Sequence, residues 1–236
     1  MRPNEAQILR LAARRTWRFF EEFIGQEDNF LPPDNFQEDP NPVVAHRTSP
    51  TNIGLYLLSV AAARDFGWIG TCDFVERLER SFATLEKLER FRGHIFNWYD
   101  TRDLRPLEPK YISTVDSGNL AGALISLTHA CREYSTGPFR NPAWRTGLKD
   151  TLEILRQHVK TAYGERNVRD QRYVQFASIA DEVSDLLDAD VLEFLGVEEL
   201  GAELLARQRL ERALQQVLGG RVGIGDPAGA VQIGRA

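Results

Sequence analysis

Apolar residues recur about every 3.6 positions along most of this chain, and this helical periodicity constrains the fold more than any other feature. In the first segment, Leu9, Ala12, Phe19 and Phe23 fall on one face of a helix that Gly25 ends. Runs with the two-residue period of a β-strand are almost absent. The pattern therefore predicts an all-α fold of helical hairpins, either an antiparallel bundle or an α/α toroid.

Capping residues, prolines and glycines divide the chain into a series of predicted helices. These are a first helix from Asn4 to Gly25, a second from Ser49-Pro50 to about Asp65, a third from the cap Thr71 to Gly93, a fourth opening at Asp116 or Ser117, a fifth opening at Asn141-Pro142, and weaker ones over about 173–195 and 198–218. The proline-rich segment 26–48 is too long for a simple connection, which indicates a functional loop.

The charge balance and the lack of targeting signals narrow the possible partners. The formal net charge of −5 leaves no domain-wide basic surface for phosphates, which argues against nucleic acid. No stretch approaches the ~20 apolar residues that span a bilayer, and the charged N-terminus is unlike a secretory signal. Cys72 and Cys131 lie in apolar periodic stretches. We expect both to be reduced core residues of an intracellular protein that does not insert into a membrane.

Polar residues concentrate in three segments, LPPDNFQEDPNPVVAHRTSPTN (31–52), FNWYDTRDLRPL (96–107) and YISTVDSGNLAG (111–122). In an array of helical hairpins, loops on one rim converge around a site. Amides and carboxylates can bind sugar hydroxyls, and aromatic rings can stack on a sugar face. The predicted carbohydrate contacts are Asp34, Asn35, Gln37, His46, Arg47, Asn52, Trp98, Tyr99, Asp100, Asp116 and Asn119.

Plain structural roles remain open for several of these residues. They are a turn for Asp34-Asn35, a satisfied structural side chain for His46, a first-turn partner for Asn52, core packing for at least one of Trp98 and Tyr99, and an N-cap for Asp116.

Glycoside chemistry requires two carboxyl groups about 5–9.5 Å apart, one of them held protonated by its surroundings. Asp100 and Asp116 are the best-placed pair in the sequence. The sequence contains no zinc-protease, paired-cysteine, nucleophile-elbow or P-loop motif. We therefore expect no metal, no cofactor and no Ser or Cys nucleophile.

Two long runs carry a resemblance to a known family. The runs LPPDNFQEDPNPVVAHRTSPTNIGLYLLSVAAARDFGWIG and RFRGHIFNWYDTRDLRPLEPKYISTVDSGNLAG, with LTHACREY after them, resemble cyclic β-1,2-glucan synthases. The similarity is nearly continuous from about Ala12 to Tyr134 and becomes thin by about Gln157. The NWYDT and STVDSGNLAG elements are also similar to wider glucoamylase-like families with an (α/α)6 toroid.

This resemblance implies a very large inner-membrane enzyme. In that family a glycosyltransferase elongates β-1,2-glucan from UDP-glucose, and a C-terminal phosphorylase-like module controls chain length. A middle α/α-toroid module on the cytoplasmic side closes the linear chain into a ring by transglycosylation. The sequence resembles the start of that middle module, which implies a partial toroid over 1–164. We expect an amphipathic helical extension over 165–218 and a flexible glycine-rich tail over 219–236.

The resemblance also implies β-1,2-glucan as the ligand of the predicted contacts, with the family's catalytic carboxylates further along the toroid. We expect a cytoplasmic fragment of the synthase with little activity of its own. The alternatives are a stand-alone helical glucan-binding or scaffold module and a small active hydrolase or transglycosylase. Since an incomplete toroid leaves apolar faces exposed, we expect marginal stability, and association with the rest of the synthase or with further copies.

Overall fold

A computed structural model describes residues 3–138, 141–163 and 171–188. Its helices are α1 (Pro3–Phe23), α2 (Pro50–Asp65), α3 (Thr71–Leu85), α4 (Thr114–Thr136), α5 (Trp144–Tyr163) and α6 (Gln171–Asp188). Its two-residue strands are β1 (Phe36–Gln37), β2 (Val43–Val44), β3 (Arg47–Thr48), β4 (Arg90–Phe91), β5 (His94–Ile95) and β6 (Tyr99–Asp100), which pair antiparallel as β1–β2, β3–β6 and β4–β5. The prediction of an all-α fold is confirmed.

Helices α2 and α4 form the centre of the fold and run parallel to each other. Thr51 and Asp116, each in the first turn of its helix, are hydrogen-bonded to each other. Toward the other end the Tyr134 hydroxyl donates to the Ala61 carbonyl at 3.4 Å. Gly54 allows the close approach, because a Cβ there would lie only 3.0 Å from the Ala123 Cβ.

Helices α1 and α3 run antiparallel to α2 and cover it. The Phe20 ring lies 5.3 Å from the Tyr56 ring, and Arg10 donates to the Phe66 carbonyl just beyond the end of α2. At the start of α3, Phe74 meets Tyr134 edge to face. The core that results is contributed by α1–α4 and the loops between them, and its fully buried members include Leu31, Ile53, Leu57, Phe82 and Leu124.

Helix α5 packs beside α1, and α6 packs on α5. Gly67 has a φ of +79°, and a Cβ at this position would overlap the Ala143 carbonyl. This close contact fixes the start of α5 to the end of α2. Asp150 of α5 is 1% exposed and accepts hydrogen bonds from Arg10 and from the Trp68 indole at 3.0 Å.

Several predicted helix ends and caps were wrong. The residue before α3 is Gly70, not the predicted cap Thr71, which is the first residue of the helix. Helix α3 ends at Leu85 and not at Gly93. Both Arg92 (φ +50°) and Gly93 (φ +85°) adopt positive φ between β4 and β5, which gives the tight turn of a β-hairpin.

The start of α4 lies before the predicted Asp116 or Ser117. Its N-cap is Ser113, whose hydroxyl accepts from the Asp116 N–H at 3.1 Å. Helix α1 begins at Pro3, and α5 begins at Trp144, three residues after the predicted Asn141. These differences matter at α4, because they free the Asp116 side chain from a capping role.

The structure bears on the predictions for the two cysteines and for the C-terminal helices. Both cysteines are free thiols; Cys131 is buried as expected, but Cys72 is exposed, so its assignment to the core was wrong. Helix α6 (Gln171–Asp188) overlaps the predicted helix over about 173–195. The predicted helix over 198–218 and the tail over 219–236 lie outside the described residues.

Candidate functional site

The N-termini of the parallel helices α2 and α4 meet beneath two of the long loops, and polar side chains converge there. We call this group the polar ring. It consists of Asp34, Asn35, Arg47, Thr51, Asn52, Asn97, Trp98, Asp116 and Asn119. Two helix N-termini also bring unpaired N–H groups and a partial positive charge, which favours carboxylates at this position.

Asp34 organises the side of the polar ring that belongs to the 26–48 loop. Its Oδ2 accepts from Arg47 at 3.1 Å (Nε) and 2.9 Å (Nη2) and from Asn35 at 3.1 Å. Its Oδ1 accepts from the Asn52 amide at 3.1 Å. Asn52 satisfies the α2 cap through its backbone N–H and Ser49, so its side chain is free to bind Asp34.

Asp116 organises the opposite side. The Thr51 hydroxyl donates to its Oδ1 at 2.6 Å and accepts from the Asn119 amide at 3.0 Å. The orientation of the buried Asn97 amide that satisfies its neighbours directs Nδ2 at Asp116 Oδ2, 2.9 Å away. Both oxygens of Asp116 therefore accept from neutral donors.

Trp98 closes the ring of contacts. Its indole Nε1 donates to the Asn97 Oδ1 at 2.9 Å, and the Arg47 guanidinium lies 4.9 Å from the centroid of the Trp98 ring. The path runs from Asp34 through Arg47, Trp98 and Asn97 to Asp116, and returns through Thr51 and its neighbour Asn52. A surface of this kind offers hydroxyl ligands both donors and acceptors in fixed positions.

Four predicted contact residues lie outside the polar ring. Gln37 pairs with Val43 in the β1–β2 ribbon. Tyr99 is fully buried, its hydroxyl donating to the Glu89 carbonyl at 2.7 Å and accepting from the Phe96 N–H. Tyr99 therefore cannot act as an exposed sugar platform, because the alternation along residues 98–100 buries Tyr99 and leaves its neighbours Trp98 and Asp100 partly exposed.

His46 is held by a buried carboxylate. Its Nδ1 lies 2.8 Å from Asp28 Oδ1, and Thr101 donates to the same oxygen. The Thr101 N–H in turn donates to the His46 carbonyl at 3.1 Å. These contacts join the 26–48 loop to the segment after β6, in agreement with the structural reading of His46.

Asp100 lies on β6 opposite Arg47 of β3. Partial burial acts to raise the pKa of Asp100, but hydrogen bonds from the backbone and side chain of Arg102 outweigh it and lower the pKa. A glycosidase acid needs a raised pKa, so this environment does not suit Asp100 to that role. Its carboxylate bonds to Arg102, whereas that of Asp116 bonds to Thr51 and Asn97.

Sequence reasoning missed three residues that the structure brings to the site: Thr51, Asn97 and Tyr111. Tyr111 donates its hydroxyl to the Asn97 Oδ1 at 2.8 Å. Each lies inside a segment that the sequence singled out as polar, but Thr51 reads as an ordinary first-turn residue and Asn97 as a flank of Trp98. Thr51 and Asn97 each adjoin a predicted contact, Asn52 and Trp98, and that adjacency was the available signal.

A cavity of about 600 Å³ lies elsewhere, between α1 and α5. Its arginines are already occupied: Arg14 bonds to Glu21 and Thr151, and Arg18 pairs with Glu22. Leu155 contributes to an apolar lining. We place the candidate site at the polar ring, an open surface, because its donors and acceptors converge.

Within residues 3–138, 141–163 and 171–188, no three His, Cys, Asp or Glu side chains are grouped so as to hold a metal ion. Across the same residues, no helix has both the length and the apolar character needed to cross a bilayer.

The part of the chain that contains the polar ring is similar to known proteins. Residues 11–137 match a family described as a protein of unknown function (DUF3131). A curated relative, the cyclic β-(1,2)-glucan synthase NdvB of Rhizobium meliloti (strain 1021), is 55% identical over 150 residues. The match covers 63% of this chain and 5% of that relative. The resemblance to cyclic β-1,2-glucan synthases is confirmed, and the chain corresponds to a small part of such an enzyme.

Proposed function

This chain belongs to the DUF3131 family of proteins of unknown function, and from that membership and its synthase relative we propose that its polar ring binds linear β-1,2-glucan. In this proposal the chain is a substrate-contacting part of a cyclic β-1,2-glucan synthase. The parent enzyme closes the linear glucan by transglycosylation on the cytoplasmic side of the inner membrane. The observation that supports the proposal is the closed set of contacts from Asp34 to Asp116 above two helix N-termini.

The chemistry of the polar ring suits a sugar. An ionised carboxylate has about four acceptor positions. Asp116 uses two of them, for Thr51 and Asn97, and so keeps acceptor capacity for the hydroxyls of a glucose residue. Asn35 and Asn119 add exposed amide groups that can donate and accept together. Because these groups already hold one another in place, little side-chain entropy is lost when a sugar binds.

We assign binding and not catalysis to this chain. Asp34 accepts from Arg47 through two nitrogens and from the Asn52 amide, so both of its oxygens are already engaged within the polar ring. Asp100 has a lowered pKa, for the reasons given above. The chain is therefore expected to have little activity of its own, and the acid and base of the reaction lie in another part of the parent enzyme.

A second candidate function is a helical scaffold without catalysis. It is favoured by apolar side chains that remain exposed on the central helices, Leu55 on α2 and Val115 and Ile125 on α4. Each of these helices is apolar on more than one side, which is typical of helices that are covered on several faces. In this reading the exposed faces associate with the rest of a synthase or with further copies.

Calorimetric titration of the chain with linear β-1,2-glucan tests the binding proposal. The variant Asp34→Asn keeps the shape of the side chain but removes its charge. We expect at least about tenfold weaker binding, since hydrogen bonds to charged groups contribute roughly 1.5–3 kcal/mol. Asp103→Asn is the matched control, because Asp103 forms a similar pair with Arg105 outside the polar ring.

Three results would contradict the proposal. Absence of glucan binding by the folded wild-type chain rejects it in favour of the scaffold reading. Equal weakening of glucan binding by Asp34→Asn and Asp103→Asn rejects the polar ring as the binding site. Mass spectrometry of glucan incubated with the protein tests for catalysis. Ring products one water lighter than linear glucans of the same length would show that the protein is active by itself.

A further inference from the structure

Tyr111 is an exposed aromatic residue beside the polar ring. Its exposed fraction is 47%, and it lies in the connection between β6 and α4. An exposed tyrosine usually directs its hydroxyl at water and moves freely. The Tyr111 hydroxyl instead donates to the buried Asn97 Oδ1 at 2.8 Å. The ring is therefore exposed while its polar end is fastened to the protein.

The backbone of Tyr111 is fastened to the same residue. Its carbonyl accepts from the Asn97 N–H at 2.9 Å. Two attachments, one at each end of the residue, hold the long axis of the ring in place before any ligand arrives. A ring held in this way loses little conformational freedom when an apolar surface stacks on it.

The Asn97 amide also connects Tyr111 to the rest of the site. Its Oδ1 accepts from both Tyr111 and Trp98, and its Nδ2 donates to Asp116. A single buried amide thus sets the positions of a flat apolar ring, an indole and a carboxylate that keeps acceptor capacity. A pyranose needs this combination, since it presents a C–H face to an aromatic ring and its hydroxyls to polar groups.

We propose that the exposed ring of Tyr111 is the stacking platform for one glucose residue of the glucan bound at the polar ring. This inference rests on the proposed function. It assigns to Tyr111 the stacking role that the sequence analysis expected of Tyr99. Asp116 lies within reach of the hydroxyls of the stacked residue. Asn97 is the positioning residue that holds the platform and the carboxylate in register.

Titration of the full chain with linear β-1,2-glucan tests this inference through three variants. Tyr111→Ala removes the platform, and we expect binding about tenfold weaker. Tyr111→Phe keeps the ring but loses its attachment to Asn97, and we expect about a twofold to threefold loss. Phe91→Ala is the matched control, because Phe91 is 52% exposed and lies on the β4–β5 hairpin outside the polar ring. We expect this control to bind like wild type.

Nuclear magnetic resonance gives a second readout that does not depend on the folding of Tyr111→Ala. In protein with ¹³C-labelled tyrosine rings, the spectrum of Tyr111→Phe assigns the Tyr111 signal by its absence. On addition of linear β-1,2-glucan to wild type, we expect the Tyr111 ring signals to shift more than those of the buried Tyr56 and Tyr99.

The outcomes separate this inference from the proposed function. If wild type binds glucan and Tyr111→Ala binds it equally well, the platform is rejected while the binding function stands. Unshifted Tyr111 ring signals at saturating glucan lead to the same rejection. If folded wild type binds no glucan, the binding function fails and the platform fails with it.

Discussion

The part of the chain that ends with α4 and the hairpin of α5 and α6 are built in different ways. The first contains the hydrophobic core, whose buried members run from Trp17 to Tyr134, and the polar ring. Among the described residues the second contributes none of these core members, and its Leu148, Leu155, Val174, Ile179 and Val183 are exposed. The family match, residues 11–137, coincides with the first part. We infer that apolar burial fixes the polar ring, and that the α5–α6 hairpin is an attachment.

Polar contacts contribute to holding the α5–α6 hairpin together and to holding it on the first part. Asp150 accepts from Arg10 and Trp68, and on the outer side Arg156 pairs with Asp181 at 2.7 Å. Exposed ion pairs of the second kind contribute little, because water and salt screen them. The buried Asp150 is therefore the contact on which the position of the hairpin should depend.

The largest effect is expected from a change in the core of the first part. Phe82 of α3 is fully buried, and Phe82→Ala should lower the free energy of unfolding by about 3–5 kcal/mol through lost burial and the cavity that remains. Chemical denaturation followed by circular dichroism measures the change. Leu155→Ala is the matched control on α5, where 48% exposure predicts a loss below about 0.5 kcal/mol. Similar losses for the two variants would remove the distinction between the regions.

The next effect is expected at the contact between the two parts. Asp150→Ala leaves the partly buried Arg10 guanidinium and the Trp68 indole without their acceptor, which should cost about 3 kcal/mol. The loss should be local, because the core of α2, α3 and α4 does not include Asp150. Hydrogen exchange measured by mass spectrometry should show faster exchange in α5 and α6 with α2 and α4 still protected. Uniformly faster exchange would show that the chain unfolds as one unit.

Alkaline pH is expected to weaken the first part by a smaller amount. Burial raises the pKa of Tyr99 from 10.0 to about 12, and it raises the pKa of Cys131 from 9.0 to about 12. Both groups are neutral when protonated, so their contribution is complete below about pH 9. It is lost as pH rises toward 12, because the unfolded chain ionises first.

For Tyr99 alone, a pKa rise from 10.0 to about 12 corresponds to about 2.7 kcal/mol. Denaturant midpoints measured between pH 8 and pH 11.5 should fall, and they should fall less steeply in Tyr99→Phe. That variant loses the hydrogen bonds to Glu89 and Phe96, so its slope with pH is the informative quantity, not its midpoint. Parallel slopes for wild type and variant would contradict the assignment to Tyr99.

Much of the helical fold was predictable, since periodic apolar residues locate each of helices α1–α6 in the described chain, although α3 ends at Leu85, well before the predicted Gly93. The wrong ends have local causes. Four residues that can cap a helix, from Ser113 to Ser117, precede the apolar run of α4, and only the tertiary structure selects Ser113. Cys72 lies in an apolar stretch but on the outer face of α3, a distinction that a single helix period did not resolve.

The site was predictable as a set of segments but not as a set of contacts. Polar composition located the segments that supply Asp34, Arg47 and Asp116. It did not show which face of β6 turns inward, and this decides that Tyr99 is buried while Trp98 meets Arg47. The two-residue period of a strand shows only that neighbouring side chains point to opposite faces. The pairing of the strand decides which of the two faces is buried. The hydrogen bonds of Asn97 with Tyr111 and Asp116 join segments that are separated in sequence, so no local pattern could indicate them.

The smallest effect is expected from an ion pair on the surface of the first part. Arg18 and Glu22 lie four residues apart on α1, 3.2 Å from each other, and both side chains are more than half exposed. Such pairs contribute roughly 0.3–0.5 kcal/mol and less at high salt, so Arg18→Ala should change the free energy of unfolding by no more than that. Denaturation at low and at 1 M salt measures it. If Arg18→Ala destabilised the chain as much as Asp150→Ala does, an exposed ion pair would contribute as much to stability as a buried one. Burial would then not explain the difference between the two parts.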